Sequence, residues 1–416
     1  MINLSSIDIL TKKTLHGTVK ISGSKNASIP ILCSTLLVKG KVLLKKLPYI
    51  SDIENVIKIL KYLGCRVKRK RNSVLIDTKN SKYKSLDIDM VKRIRGSYYF
   101  IPIFLNLYGK CEISLPGGCK IGERPIDEHI RIWQTLGYTI IQKDGYLKII
   151  KPKNEIKTIT YSLCKHSVGA SINAILSMIN MDKAIIANLN IEPEGEALID
   201  FLNIIGYNVK LHKNECEILH HNDIIDDIKY EIIPDRIEAM TFIIMGLLCG
   251  KVKIKGANYN HISYPIDLLI KNGYAIKINK KYIIAQKSKG LAFDIKTDIY
   301  PYFPTDMQPL FGVLFAYSRG ACVVEEKIFD ERMQIYYDLQ NIGASINIVD
   351  NKAFIIGNSP DKVKCFKGYD LRHCAAIMLI ILKNGGRLEN YEMMQRGYED
   401  FIYKISLLGA HAKYNL

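Results

Sequence analysis

A glycine that closes a helical stretch and opens an alternating strand recurs six times in this chain, at Gly64, Gly137, Gly206, Gly273, Gly343 and Gly409. The segments around it are Lys61–Val67, Gln134–Ile140, Asn203–Val209, Ile270–Ile276, Gln340–Ile346 and Ser406–Ala412, and the glycines lie 73, 69, 67, 70 and 66 residues apart. In five of them Leu or Ile precedes the glycine and closes an apolar helix face; the fourth has Asn272 there. Glycine adopts a left-handed backbone at low steric cost and so ends a helix, while the alternation that follows suits a half-buried strand. A period near 70 exceeds that of a solenoid repeat and fits a small α/β unit of two helices and several strands. Six units divide naturally into two groups of three, each with helices packed inward and strands outside.

The 416 residues suit two or three domains, and a hydrophobic content of 48% is ample for buried cores. The N-terminal stretch has no basic region followed by an apolar one, so no secretory signal is expected. The longest apolar runs, Phe242–Cys249 and Cys374–Leu382, are too short for a bilayer, which takes about 20 residues, and read as buried helices. Ten cysteines are scattered without a CxxC pair or Cys/His ligand spacing. Free thiols, no metal and a cytoplasmic location are therefore expected. His220-His221 reads as surface. The formal charge of +18 suits an anion-holding site, a nucleic-acid partner or a lysine-rich surface. The general excess of Lys, Ile, Asn and Tyr favours the last, with Lys68–Arg71 as a solvated strand end. No nucleic-acid recognition module is apparent.

Four motifs carry candidate chemistry. Gly23–Ser28 presents Lys25 and Asn26 just before an apolar run, either as a surface turn or as a cation aimed at an anionic ligand. Leu115–Pro125 places Cys119 among three glycines and two prolines, which makes a loop. Lys120 and Arg124 lie close enough in sequence to favour the thiolate, so this cysteine reads as reactive and the other nine as buried. Lys165–Ser171 places Lys165, His166, Ser167 and Val168 ahead of an apolar helix, as an anion site or an ordinary helix cap. In Phe303–Gln308, Asp306 is either a helix cap or a general base. Arg95, Arg236, Arg332, Arg372 and Arg396 stand at helix boundaries or in loops; singly, each reads as a solvated or structural charge. Asp235 and Glu238 read as partners of neighbouring basic groups.

Taken together, Pro116–Pro125, Phe303–Gln308 and Lys165–Gly169 resemble the enolpyruvyl transferases, and the likeness runs through essentially the whole chain in order. Within that family the cysteine loop is similar to the members that act on a UDP-sugar. The resemblance implies a two-domain inside-out α/β barrel built from six similar α/β units. One domain would span residues 22–233 and carry the cysteine loop, the other residues 1–21 plus 234–416, with the active site in the cleft between them. It implies transfer of the enolpyruvyl group of phosphoenolpyruvate to the 3-hydroxyl of UDP-N-acetylglucosamine with release of phosphate, the first committed step of peptidoglycan synthesis. The alternative is another nucleotide-linked acceptor.

The resemblance also implies roles. Lys25, Arg124 and Arg396 would hold phosphoenolpyruvate, and Asn26, Thr305 and Asp306 would face the sugar. Asp306 would take the 3-hydroxyl proton, and Cys119 would supply a proton or assist product release, forming a thioether-type adduct. Arg95, Arg124, Pro125, Ile126, Asp127, Glu128, Lys165, His166, Ser167, Val168 and Ile328 would line the UDP-sugar site, with Arg332 and Arg372 closing over the anions. No metal, cofactor, nucleic acid or membrane is implied. The chain departs from the family pattern at Ile191 (usually basic), at Gln395 (usually aspartate) with Met393 and Met394, and at His166 and His373.

Overall fold

The computed structural model describes residues 6–9, 14–86, 89–92, 94–115, 126–220, 223–329 and 331–415. All six expected α/β units are present, and the six repeat glycines have φ of +99°, +78°, +113°, +82°, +94° and +92° in chain order. Each therefore sits where a Cβ would be strained, which is why glycine recurs at this point.

One plan is repeated. A buried helix leads to a central strand, then to an amphipathic helix, the repeat glycine, and a hairpin whose second strand lies antiparallel to the central one. A parallel strand from elsewhere in the chain covers the other edge. The described residues divide into two compact units, one of residues 23–115 and 126–233, the other of residues 6–9, 14–22 and 234–415.

In the first unit the central strands are Lys41–Lys45, Lys110–Ser114 and Lys183–Ala187. Their hairpins are Arg66–Lys70 with Ser73–Asp77, Thr139–Lys143 with Tyr146–Ile150, and Asn208–His212 with Glu215–Leu219. Thr158–Ser162 lies parallel to the third central strand. Ile228–Glu231, last in sequence, returns to lie parallel to the first. Among the described residues a parallel bridge from Leu86 to Ile113 lies at the corresponding edge of the second sheet. The Lys25–Ser34, Phe100–Tyr108 and Val168–Met178 helices form the interior, with Ala27, Ile31, Phe104, Ala174 and Leu176 buried among them.

The second unit repeats the plan with the Arg236–Cys249, Gln308–Ala316 and Leu371–Asn384 helices in mutual contact at its centre. The two longest apolar runs of the sequence lie in the first and third of these and are entirely buried. A helix apolar all round must be enclosed on every side, so the sheets stand outside. Two of these sheets need strands from the N-terminus. Leu15–Lys20 pairs in parallel with Gly250–Lys255. Ser6–Ile9 takes the place of the second hairpin strand in the sixth sheet, antiparallel to both Gly386–Glu389 and Ala412–Asn415. Its register sets Asp8 opposite Arg387, whose Nε and Nη2 donate to Asp8 Oδ1 and Oδ2 at 2.6 and 2.9 Å.

Seven described cysteines are buried, but Cys164 and Cys365 are exposed, against the expectation that all nine outside the glycine loop lie inside. Both stand in short polar-flanked stretches, where no apolar run draws them in. Burial pushes the Cys65, Cys216, Cys249 and Cys322 thiols up to about 12, so these remain protonated and unreactive. His220 is exposed, as expected. Among the described residues no cluster of His, Cys, Asp and Glu could hold a metal, and no helix is long and apolar enough to cross a membrane.

Candidate active site

In the second unit, Thr305 and Asp306 form a short 3-10 turn (Thr305–Met307) ahead of the Gln308–Ala316 helix. Asp306 does not cap that helix. Its Oδ1 accepts from Arg332 Nη1 at 2.8 Å, and its Oδ2 accepts from Arg372 Nε and Nη2 at 3.0 and 2.8 Å. The arginine side chains are 5% and 6% exposed and that of Asp306 25%. Burial would raise the Asp306 pKa, but the Arg372 and Arg332 charges outweigh it and hold the carboxyl well below the usual carboxylate range.

Arg332 Nη1 also donates to Thr305 Oγ1 at 2.8 Å, and Thr305 in turn donates to Glu326 Oε2 at 2.9 Å. Glu326, which sequence reasoning missed, is fully buried. Its Oε1 accepts from Thr297 Oγ1, Ile328 N and Phe329 N at 2.9, 2.8 and 3.1 Å. One carboxylate thus fixes Thr305 and the chain entering Ile328, and the Phe329 ring lies 4.9 Å from the Arg332 guanidinium. The only local signal was an acidic pair, Glu325-Glu326, at the end of an alternating strand, of which Glu326 takes the inward position.

Arg372 stands on the first turn of the Leu371–Asn384 helix, whose N-cap Asp370 accepts from Arg372 N and His373 N at 2.7 and 3.2 Å. Arg396 ends the 3-10 turn Tyr391–Arg396, which packs on the same helix. A Cβ on the following Gly397 would lie 2.4 Å from Leu371 Cδ2, so glycine permits the close approach there. Asp235 caps the Arg236–Cys249 helix, while Glu238 bonds Lys404 Nζ at 2.5 Å and Ser22 N at 2.8 Å. Glu238 has the basic partner expected of it, and Asp235 serves as a cap.

In the first unit, Ser24 caps the helix that begins at Lys25. The first helical residues project from that cap, and Lys25 Nζ lies 3.2 Å from Asp52 Oδ2. Ser167 likewise caps the Val168–Met178 helix through a bond from Ala170 N to its Oγ, with Lys165 and His166 exposed before it. Glu128, on the first turn of the Asp127–Thr135 helix, reaches that segment: its Oε1 accepts from Tyr161 OH at 3.1 Å and Cys164 N at 3.0 Å. Ile126 is half-buried and Asp127 exposed. Arg95 opens the Arg95–Tyr99 turn beside the Tyr98 ring.

His129 lies behind these groups, its Nδ1 accepting from Asn173 Nδ2 at 2.7 Å. Burial, aided by the Arg95 charge, pushes it down to about 3, so it stays neutral. An unfolded histidine takes a proton near pH 6.5. The folded state therefore loses stability as pH falls from about 6.5 toward 3, because unfolding then gains a proton. The His129 ring resonances are expected not to titrate between about pH 5 and 8; a midpoint in that range would contradict this account. Ile191, where a basic residue was expected, is buried, with its Cγ2 only 3.1 Å from a Cβ added at Gly195. A branched apolar side chain fills the space that this glycine leaves. Cys119, Arg124 and Pro125 lie outside the described residues.

The first unit thus gathers Glu128 and the Lys165–Val168 segment, and the second gathers Thr305, Asp306, Ile328, Arg332 and Arg372, with Arg396 against the same helix.

Comparison with known proteins bears on what these groups serve. The family model of EPSP synthase (3-phosphoshikimate 1-carboxyvinyltransferase) matches residues 9–405. The UDP-N-acetylglucosamine 1-carboxyvinyltransferase of Pelagibacter ubique is 34% identical over 99% of both chains. That of Thermotoga maritima is 31% identical over 96% of both. The crystal structure of the enolpyruvyl transferase NikO from Streptomyces tendae has the same fold, with a TM-score of 0.91 over 99% of both chains at 19% identity. EPSP synthase from Acinetobacter baumannii matches with a TM-score of 0.73 at 14% identity, covering 99% of this chain and all of that one. The six α/β units and these matches together place the chain in the enolpyruvyl transferase family.

Proposed function

We propose that the protein transfers the enolpyruvyl group of phosphoenolpyruvate to the 3-hydroxyl of UDP-N-acetylglucosamine and releases phosphate, as the cytoplasmic first committed step of peptidoglycan synthesis. The observation that carries this reading is end-to-end similarity, at 30–34% identity, to relatives bearing that activity in their names. The Asp306–Arg332–Arg372 cluster supplies chemistry suited to it.

In this reading the acceptor oxygen bonds to C2 of phosphoenolpyruvate while a proton is added to C3. Loss of a C3 proton and departure of phosphate from C2 then restore the double bond. Asp306 takes the proton from the 3-hydroxyl. Clamped by two guanidiniums it is a weak base, so its partners must change first. The substrate phosphate and carboxylate compete for Arg332 and Arg372, and each bond they draw off raises the basicity of Asp306 as the substrates assemble. Lys25, Arg124 and Arg396 add positive charge where phosphate leaves. Asn26, Arg95, Arg124, Pro125, Ile126, Asp127, Glu128, Lys165, His166, Ser167, Val168, Thr305 and Ile328 bind the UDP-sugar. Cys119 supplies or receives the C3 proton, or assists product release.

The test is phosphate release from phosphoenolpyruvate with a panel of UDP-sugars. Release that depends on UDP-N-acetylglucosamine is expected, and turnover with a different acceptor alone would overturn the assignment. Mass spectrometry after incubation with both substrates should find an adduct on Cys119. Cys119→Ser should lose it together with nearly all turnover near neutral pH; full activity would remove Cys119 from the mechanism.

A further inference from the structure

Asp306 is gripped from two helices. Arg332 stands two residues before the Gln334–Asn341 helix, and Arg372 is the second residue of the Leu371–Asn384 helix. The fork that the two guanidiniums make on one carboxylate is therefore set by how the N-terminal ends of these helices are held together. Residue 373, next to Arg372, is a histidine with only 2% exposure. Its Nε2 lies 2.7 Å from Oδ2 of Asp338, on the other helix. Tyr369 N–H faces its Nδ1 from 3.5 Å, so Nδ1 accepts and Nε2 is the donor to Asp338. The Tyr369 ring meets the imidazole edge-on at 5.1 Å.

Buried on the first turn of its helix, the imidazole needs an acceptor for its Nε2–H, and Asp338 supplies it. A cavity of about 200 Å³, lined by Arg332, Asp370, His373, Tyr369, Glu331 and Gln334 among others, borders the same helix ends. Close packing is thus missing on that side. Among the described residues Arg332 Nε has no partner, and Arg332 is held through Nη1.

We propose that His373, tied to Asp338, is a positioning residue that sets the separation of Arg332 and Arg372 and so the grip of both on Asp306. This rests on the roles assigned to Asp306 and the two arginines above. It accounts for a departure from the family pattern noted at residue 373.

The test uses the full chain and the variants His373→Ala, Asp338→Ala, Asp338→Asn and the double alanine variant. Each alanine variant should raise the KM for phosphoenolpyruvate about tenfold with a smaller fall in kcat, and the double variant should be no worse than either, since both remove one bond. Asp338→Asn keeps an oxygen for Nε2–H and should recover most of the loss. Imidazole, which fits the bordering cavity, should partly restore His373→Ala. Phenylglyoxal should modify Arg372 several-fold faster in His373→Ala than in the parent, read by peptide mass spectrometry. That last readout needs no turnover. If the parent shows no enolpyruvyl transfer yet Arg372 becomes more reactive in the variant, the functional reading falls and the positioning role stands. A folded His373→Ala with unchanged KM and unchanged Arg372 reactivity, or additive losses in the double variant, would overturn the proposal.

Discussion

Asp306→Asn is expected to lower turnover by roughly 10²–10⁴-fold, the range a positioned general base supplies, while binding of the UDP-sugar is retained. The amide preserves shape, but its one oxygen can accept from only one of the two arginines where they stand, its NH2 faces the other, and it cannot take a proton. It also removes the negative charge that occupies Arg332 and Arg372 in the absence of substrate. The two guanidiniums are then freer to meet the phosphate or carboxylate of phosphoenolpyruvate, so its KM should fall or stay level as kcat collapses. Such a split separates loss of a base from loss of the fold or of the anion site. Steady-state kinetics with both substrates, together with calorimetric titration of the UDP-sugar, measures it. Turnover at the parent rate would mean that another group takes the proton.

Glu326→Leu should have the largest effect on stability, at a cost of about 3 kcal/mol or more. Leucine is close in volume but accepts nothing. Two threonine hydroxyls and two backbone N–H groups, all aimed at this carboxylate, would be left without it in a buried setting. Glu326→Gln keeps one carbonyl oxygen and lets the hydroxyls turn, so its cost should be well under half as large. Thermal melts of the three proteins decide this. Equal midpoints would show that water or a local shift satisfies the four donors. Because Thr305 hangs from Glu326 and Arg332 from Thr305, the leucine variant should also disturb the Asp306 clamp and raise the KM for phosphoenolpyruvate.

The two residues differ in how visible they were. Asp306 sits in a compact motif, Phe303–Gln308, with a proline before it and a helix after it, so a local reading could single it out as cap or base. Which of the two it is depends on Arg332 and Arg372, 26 and 66 residues away, and only folding brings them to its oxygens. Glu326 belongs to no motif. Its meaning comes from Thr297 and Thr305, which sit on separate segments, and from the turn that follows it. His129 is similar: nothing in Ile126–His129 announces that Asn173 and Arg95 will enclose the ring and keep it neutral.

The repeat was legible because its cause is local. A positive φ at the end of a helix selects glycine wherever it occurs, whatever lies far off in the chain, and the helical and alternating periods on either side depend only on which face is buried. The sequence by itself therefore determined the six units, the buried central helices and the position of the Thr305-Asp306 turn. Tertiary structure decided which strand completes which sheet. Ser6–Ile9 serves the sixth sheet and Ile228–Glu231 the first, pairings made by backbone hydrogen bonds that any sequence of suitable alternation can form. It also decided the charge state of Asp306 and the pairing of His373 with Asp338. Such electrostatic and hydrogen-bonded contacts act over a few ångströms between residues far apart along the chain, so they are specified only once the helices carrying them have packed.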